Sequence, residues 1–293
     1  MDLLSIDSLT DEQVRAILDR ADHFFGANPT ADSTTLNGKL VFNLFYENST
    51  RTLMSFATAS HRLGASVITM PVEQSSVKKG ESLDDTAKTL NAMSPDLLVI
   101  RHGNNGAPAA VAEIMDAPVI NAGDGTNEHP TQALLDAATI RRRLGRIEDL
   151  KIAICGDIKH SRVARSNSRL LSRLGAEVRL AGPAELMPDG APHLSVDEAI
   201  EGAEVVMMLR VQRERLEADL GDAPGEFLRR YGLTAERLAR AAPGAVVMHP
   251  GPMNRGVEID GAIADDPARS LIGLQVEMGV AVRMACLEML VGA

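Results

Sequence analysis

Short apolar runs alternate with longer amphipathic segments along most of the chain. An amphipathic stretch over residues 10–25 comes first, and a long helical pattern over residues 131–144 closes this first half. Between them the predicted strands are Leu40–Phe45, Ser66–Met70, Leu97–Ile100 and Val119–Asn121, and the predicted helices cover residues 51–63, 82–93 and 107–115. Strands separated by helices indicate βαβ units and a parallel sheet with covered faces.

The alternation restarts after Gly145-Arg146. Strands are predicted at residues 151–155, 177–181, 205–209 and 245–249, helices at 163–174, 196–201 and 235–241, and a further helix at 275–291. We therefore predict an α/β fold with two doubly wound domains, each a mostly parallel β-sheet covered by helices. The first would cover residues 1–145, with the helical segment 275–293 packing back on it, and the second residues 146–274.

Two segments interrupt this alternation. Residues 213–230 are charged and contain Gly221 and Pro224-Gly225, and residues 72–80 have the same polar character. Connections of that length in a compact domain are usually functional, so both segments are candidate lids over a binding site.

Composition narrows the class of protein. The 293 residues include 30 basic and 40 acidic side chains, a net charge of −10, and 45% are apolar. An acidic chain repels phosphate backbones, so a non-specific nucleic-acid binder is disfavoured. No apolar run approaches the roughly 18 residues of a membrane span, and the acidic start does not have the pattern of a secretory signal. We therefore expect a soluble, cytoplasmic protein. Cys155 and Cys286 lie far apart in the sequence, so we expect no disulfide.

Anion-binding groups follow the predicted strands, where open parallel sheets bind ligands. The first strand leads into Ser49-Thr50-Arg51-Thr52 at a helix start. Hydroxyl side chains cap free N–H groups there, and the helix dipole favours an anion. Arg51 adds a permanent charge. An ordinary helix cap with an exposed arginine explains this segment equally well when it is taken alone.

The later strand ends continue this pattern. Arg101 ends the third strand, and His129-Pro130 opens a helix on which Gln132 lies three residues later and can face the same point. Arg162, Arg210 with Gln212, and His249-Pro-Gly-Pro252 follow strands of the second half. Each alone is explained by a capping histidine or a solvated arginine. Together these groups imply one or two ligands with several negative charges.

Motifs for other chemistries are missing from the sequence. No G-x-G-x-x-G follows the strand at 151–155, no P-loop motif occurs, and the seven histidines show no metal-binding spacing. The residues therefore favour neither a dinucleotide cofactor nor a metal.

The Ser49–Thr52, His129–Gln132, Arg210–Gln212 and His249–Pro252 motifs together resemble the aspartate carbamoyltransferase family, in order and spacing over essentially the whole chain. This resemblance implies a carbamoyl-phosphate site and an L-aspartate site, no cofactor and no metal. It implies a homotrimer with shared active sites in pyrimidine biosynthesis, and a regulatory chain or a dihydroorotase-like protein as candidate partners. The carbamoyl-phosphate residues would be Ser49, Thr50, Arg51, Thr52, Arg101, His129 and Gln132. The aspartate residues would be Lys79, Arg162, Arg210, Gln212, Gly251 and Pro252, and Ser75 with Lys79 would form a loop that reaches the adjacent subunit.

The chemistry of that family suits these residue types. Attack on carbamoyl phosphate builds an oxyanion, and each preorganised donor is worth roughly 3–4 kcal/mol. Thr52, Arg101 and His129 are the expected donors, and with Arg51 they form the predicted catalytic set. Gln132 would hold the carbamoyl amide, and Arg162 and Arg210 would bind the two carboxylates of aspartate bidentately.

Two alternatives stay open. An ornithine carbamoyltransferase would share the phosphate half, but its family carries Ser-Met-Gly and His-Cys-Leu-Pro motifs for a cationic amino acid, whereas this chain has Arg210-Val-Gln212 and His249-Pro-Gly-Pro252. A non-catalytic anion-binding relative would keep the fold and lose the activity. The presence of every matched site residue argues against that second alternative.

Overall fold

The computed structural model describes residues 1–26, 34–70, 72, 76–190, 194–211 and 225–291. Contacts within the chain divide it into two units. The first consists of Met1–Ala138 together with Val276–Ala293, and the second of Thr139–Gln275. In the described part of the chain, no helix combines the length and the apolar character needed to cross a membrane.

The first unit contains a four-stranded parallel sheet in the order β2-β1-β3-β4. Its strands are β1 Leu40–Phe45, β2 Ser66–Met70, β3 Leu97–His102 and β4 Val119–Asp124. Its helices are α1 Asp11–Gly26, α2 Thr50–Arg62, α3 Leu83–Asn91 and α4 Ala107–Ala112, with a short 3-10 helix at Ser76–Lys79. Helix α5, Pro130–Leu144, begins in this unit.

The second unit repeats the arrangement, with strands in the order β6-β5-β7-β8. Its strands are β5 Lys151–Cys155, β6 Glu177–Ala181, β7 Val205–Met208 and β8 Val246–Met248. Its helices are α6 Arg162–Arg173, α7 Val196–Ile200, α8 Glu226–Tyr231, α9 Ala235–Leu238 and α10 Gly261–Ala264. Helix α11, Ile272–Val291, is the last helix among the described residues, and from Val276 onward it belongs to the first unit.

Strands β1, β3, β5 and β7 are mostly buried, as is expected of a parallel sheet whose two faces are covered by helices. Leu44, Leu98, Ile100 and Val119 belong to one buried cluster of the first unit. Ala153, Val206, Met208 and Val247 belong to the corresponding cluster of the second. The buried strands fix the positions of the loops that follow them.

Four predicted strands, at residues 40–45, 66–70, 151–155 and 177–181, have the observed bounds. Strands β3 and β4 run further than expected, to His102 and Asp124, so that Arg101 lies inside β3. Helix α8 lies in a segment expected to be a connection, and its six residues are too short for a periodic pattern. The alternating apolar residues of α11 form a helix that is largely buried over residues 278–287.

Candidate active site

The start of α2 forms a polar cradle after β1. The Ser49 side chain accepts from the Thr52 N–H at 3.4 Å, and its Oγ lies 3.0 Å from Thr52 Oγ1. Thr52 is buried, whereas Thr50 and Arg51 are exposed. Partial desolvation lowers the pKa of the Arg51 guanidinium, so a bound anion would offset that cost. The cradle has the features of a phosphate site.

Arg101 is fixed at the end of the neighbouring strand β3. Its Nη1 donates to the Ala122 carbonyl at 3.3 Å, and its Nε lies 3.4 Å from Glu47 Oε2. Glu47 belongs to the loop that leads to the cradle, and the Arg101 carbonyl accepts from the Tyr46 N–H at 2.9 Å. These contacts join the end of β3 to the loop after β1.

His102, the next residue, is held as a neutral ring. Its Nδ1 accepts from the Asn104 N–H at 2.9 Å, and its ring lies 4.6 Å from that of Tyr46. Burial lowers the pKa of His102, although Glu47 and Asp124 act in the opposite direction. His102 therefore adds little positive charge beside Arg101 near neutral pH.

A buried carboxylate shapes the loop that presents His129. Asp124 accepts from the N–H groups of Gly106 at 2.7 Å and Glu128 at 3.0 Å, and from the side chain of Asn121 at 2.8 Å. A Cβ on Gly125 would lie 2.9 Å from the Gly103 carbonyl, and its φ is +44°, so glycine is required there. The network fixes the approach to α5.

His129 lies buried at the start of α5, and Pro130 is the first helical residue, as the sequence predicts. The His129 carbonyl accepts from the N–H groups of Gln132 at 3.0 Å and Ala133 at 3.3 Å. The imidazole is thus carried by the first turn of a helix.

The Gln132 side chain is oriented by a hydrogen bond to Asp136. Its Nε2 donates to Asp136 Oδ1 at 3.0 Å, one turn later on α5. Asp136 is in turn attracted by Arg283 of α11, and that guanidinium lies 5.0 Å above the Phe56 ring of α2. Burial lowers the pKa of Arg283 to about 10, which leaves it charged at neutral pH. A buried cation therefore adjoins both site helices.

In the second unit, a tight turn after β5 carries Arg162. A Cβ on Gly156 would lie 2.8 Å from the Leu209 carbonyl, and its φ is +132°. Buried Asp157 accepts from the His160 N–H at 3.1 Å and lies 3.0 Å from its Nδ1. Arg162, half-buried, then opens α6, which Ser161 caps by accepting from the Ala164 N–H at 3.1 Å.

Arg210 follows the neighbouring strand β7. The Leu209 N–H donates to the Cys155 carbonyl at 2.8 Å, which extends the pairing of β7 with β5 by one residue. Arg210 is half-buried. Because β5 and β7 are parallel neighbours, Arg162 and Arg210 lie at the same edge of the second sheet.

The loop after β8 lies at that edge too. The Gly251-Pro252 peptide bond is cis, and Gly251 has a φ of +69°. The Gly251 N–H donates to His249 Nδ1 at 2.8 Å. This hydrogen bond constrains the backbone around Gly251. The loop follows β8, which is the third of three adjacent strands.

The structure gathers the predicted residues within each unit. In the first sheet, Ser49–Thr52 follow β1, Arg101 lies near the end of the adjacent strand β3, and His129 and Gln132 follow β4. In the second sheet, Arg162, Arg210 and Gly251-Pro252 follow three adjacent strands. Lys79 is exposed at the end of the 3-10 helix of the first unit. Ser75 and Gln212 lie outside the described residues.

Sequence reasoning gave no role to Glu47, Asp124 or Asp136. The spacing of Gln132 and Asp136, four residues apart on one helix, would have predicted their contact. The partnership of Glu47 with Arg101 joins residues far apart in the chain, and no local pattern indicates it.

Two family models match the chain. That of the aspartate/ornithine carbamoyltransferase carbamoyl-P binding domain covers residues 1–142, and that of the Asp/Orn binding domain covers residues 148–290. The chain belongs to the aspartate/ornithine carbamoyltransferase family. The fold class and the family that the sequence predicts are thereby confirmed.

Individual members of this family are similar over nearly their full length. The aspartate carbamoyltransferase catalytic subunits of Granulibacter bethesdensis and Rhodospirillum rubrum are each 56% identical to the chain, covering 98% and 99% of it and 94% and 93% of their own lengths. Aspartate transcarbamoylase from Trypanosoma cruzi with carbamoyl phosphate and aspartate has a TM-score of 0.85 at 32% identity, covering 98% of this chain and 95% of that one. Ornithine carbamoyltransferase from Pyrococcus furiosus has a TM-score of 0.87 at 26% identity, and the match covers 100% of this chain and 97% of that one.

Proposed function

We propose that this chain transfers the carbamoyl group of carbamoyl phosphate to the amine of L-aspartate. The products are N-carbamoyl-L-aspartate and phosphate, a step of pyrimidine biosynthesis. The observation that carries the proposal is the shared edge of the first sheet, where a helix N-terminus follows β1, an arginine lies near the end of β3 and a buried histidine follows β4. The relatives of 56% identity, which are named aspartate carbamoyltransferases, support it.

In the first unit, the phosphate would be bound by Ser49, Thr50, Arg51 and Thr52. The free N–H groups at the start of α2 point toward an anion placed there, and Arg51 adds a donor fork. Thr52, Arg101 and His129 would then donate to the carbamoyl oxygen. Gln132, held by Asp136, would accept from the carbamoyl amide. Donors fixed before the reaction need no reorganisation as charge builds on that oxygen.

The bond changes are those of an acyl transfer. The neutral amine of aspartate forms an N–C bond to the carbamoyl carbon, and the C–O bond to phosphate breaks as phosphate leaves with the electron pair. The amine loses one proton, which the departing phosphate can accept. Positioning of the two reactants contributes on the order of 7–11 kcal/mol in well-oriented reactions of this kind.

In the second unit, Arg162 and Arg210 would each bind one carboxylate of aspartate. Both arginines follow neighbouring strands, and guanidinium groups bind carboxylates bidentately. Gln212 and the backbone of Gly251 and Pro252 would complete this half of the site, together with Lys79. The two arginines would repel the ammonium group of ornithine, and for that reason we propose aspartate as the acceptor.

We further propose that residues 1–145, with the C-terminal helix, bind carbamoyl phosphate, and that residues 146–274 bind aspartate. The active form would be a cytoplasmic homotrimer in which Ser75 and Lys79 reach the site of the adjacent subunit. The exposure of Lys79 agrees with such a role. A regulatory chain or a dihydroorotase-like protein would be the partner chain of a larger assembly.

The test is a comparison of acceptors. The purified chain is given carbamoyl phosphate with L-aspartate or with L-ornithine, and carbamoyl product and phosphate are measured. We expect turnover with aspartate at least about 100-fold faster, since losing a charged contact costs several kcal/mol. Faster turnover with ornithine would identify the ornithine enzyme, and no turnover with either would favour the anion-binding relative.

A further inference from the structure

Two fully buried ionisable side chains flank the loop that carries Gly251-Pro252. His249 ends the segment from β8, and Glu258 lies nine residues later; the exposed fraction of each is 0%. His249 Nε2 lies 3.3 Å from Glu258 Oε1. The residues between them include the backbone that the proposed function assigns to aspartate.

The hydrogen bonds define the state of the imidazole. His249 Nδ1 accepts from the Gly251 N–H at 2.8 Å, so the ring proton must lie on Nε2. Nε2 is the atom that faces Glu258. The tautomer in which Nδ1 accepts from the Gly251 N–H therefore carries its proton on the ring nitrogen that lies near the carboxylate.

Glu258 holds the other end of the same loop. Its Oε1 accepts from the backbone N–H of Asn254. Its own carbonyl accepts from the Leu233 N–H at 2.9 Å, and the His249 N–H donates to Gln275 Oε1 at 3.0 Å. The pair is therefore anchored to the rest of the second unit, and it binds the loop at residues 251 and 254.

Stability alone does not explain such a pair. A buried carboxylate carries a desolvation penalty of several kcal/mol, and apolar side chains of the same volume often stabilise a fold as well or better. An apolar pair could not accept hydrogen bonds from the N–H groups of Gly251 and Asn254. The pair is therefore suited to fixing the conformation of the loop.

We propose that His249 and Glu258 are positioning residues, which act together to hold the Gly251-Pro252 backbone in the conformation that binds L-aspartate. The inference rests on the proposed function and extends it to two residues that contact the loop from behind. They set the affinity for the amino acid and leave the binding of carbamoyl phosphate unchanged.

Two substitutions disrupt the contact between His249 and Glu258 while each keeps an acceptor for its own loop N–H. Glu258→Gln keeps an oxygen for the Asn254 N–H but removes the charge that faces Nε2. His249→Asn keeps an acceptor near the position of Nδ1 but no longer reaches Glu258. The matched control is Asp265→Asn, which breaks an exposed ion pair with Arg255 in the same unit, at 2.6 Å between Oδ2 and Nη1.

The experiment measures KM for each substrate, kcat and the melting temperature of the four full-length proteins. For Glu258→Gln and His249→Asn we expect KM for aspartate to rise about tenfold, since misplacement by about 1 Å can cost on the order of 100-fold. KM for carbamoyl phosphate should change less than about twofold, because neither substituted residue belongs to the proposed site for that substrate. Asp265→Asn should match the unsubstituted protein.

Three outcomes distinguish the possibilities. A lower melting temperature with unchanged KM for aspartate in either folded variant would show a purely structural pair and overturn the inference. Equal rises in KM for both substrates would overturn it as well. If the unsubstituted protein does not carbamoylate aspartate, the proposed function fails instead, independently of the variants.

Discussion

The two units are built on the same plan but hold their candidate site residues differently. Each has a four-stranded parallel sheet whose first strand leads to a helix capped by serine, Ser49 on α2 and Ser161 on α6. In the first unit, Thr52, His129 and Gln132 are buried. In the second, Arg162 and Arg210 are half-buried, and the chain after Val211 lies outside the described residues up to Gly225.

This difference matches the two chemical tasks. Stabilisation of an oxyanion needs donors that are fixed before the reaction, and burial with a network such as that of Asp124 provides them. Binding of two carboxylates needs only strong, directional partners, and arginines on loops are sufficient. The comparison predicts that substitutions in the first unit mainly lower kcat and those in the second mainly raise KM for aspartate.

The largest effect should come from His129. His129→Ala removes the proposed donor to the developing oxyanion, so kcat should fall about 100- to 1,000-fold. Binding of phosphonoacetamide, a stable analogue of carbamoyl phosphate, should weaken only a few-fold, since the donor acts mainly in the transition state. Steady-state kinetics and calorimetry test this, with the exposed His61→Ala as the control. Unchanged turnover in His129→Ala would refute its assignment.

A smaller effect is expected for Arg210 in the second unit. Arg210→Lys keeps the charge but loses the planar fork, so KM for aspartate should rise about tenfold with little change for carbamoyl phosphate. Arg229→Lys, at an exposed position of α8, is the matched control. A fall in kcat with unchanged KM for aspartate would contradict the division between the units.

The two capping serines provide a direct comparison of equivalent positions. Ser49→Ala and Ser161→Ala should each lower the free energy of unfolding by about 1 kcal/mol, the usual cost of losing an N-cap. Ser49→Ala alone should also weaken binding of phosphonoacetamide. Denaturant unfolding and calorimetry measure both quantities. Equal losses of binding in the two variants would remove the functional distinction between α2 and α6.

The smallest difference between the two units should be in the reactivity of their buried thiols, because each core protects its cysteine equally. Burial raises the pKa of Cys286 in the first unit and Cys155 in the second to about 12. At pH 8 neither should react with iodoacetamide in the folded protein, and both should react after denaturation. Mass spectrometry of the alkylated chain tests this, and rapid labelling of one thiol would show that its unit opens.

The same pKa shifts predict a loss of stability at high pH. Above pH 9 the unfolded chain releases both thiol protons while the folded chain retains them up to about pH 12. The unfolded state then binds fewer protons, so stability falls as the pH rises through that window. A Cys155→Ala, Cys286→Ala double variant should show a shallower fall, and an identical slope would contradict the shifts.

The sequence was sufficient to predict the two parallel sheets because most of their strands are short apolar runs and the helices between them are periodic. It also indicated Ser49 and His129, since a hydroxyl cap and a histidine before proline are local signals. It did not indicate the acidic partners Glu47 and Asp124, whose contacts depend on the order of strands in the sheet. The pairing of His249 with Glu258 likewise arises only when the loop closes on itself.

The division of labour between the units is tested most directly by calorimetric titration of phosphonoacetamide, without aspartate, into two variants. Arg51→Ala should weaken binding at least about tenfold, since a charge-assisted hydrogen bond is worth roughly 1.5–3 kcal/mol. Arg210→Ala should bind within about twofold of the unsubstituted protein, because its guanidinium is assigned to the other substrate. Equal weakening in both variants, or a loss confined to Arg210→Ala, would contradict the account.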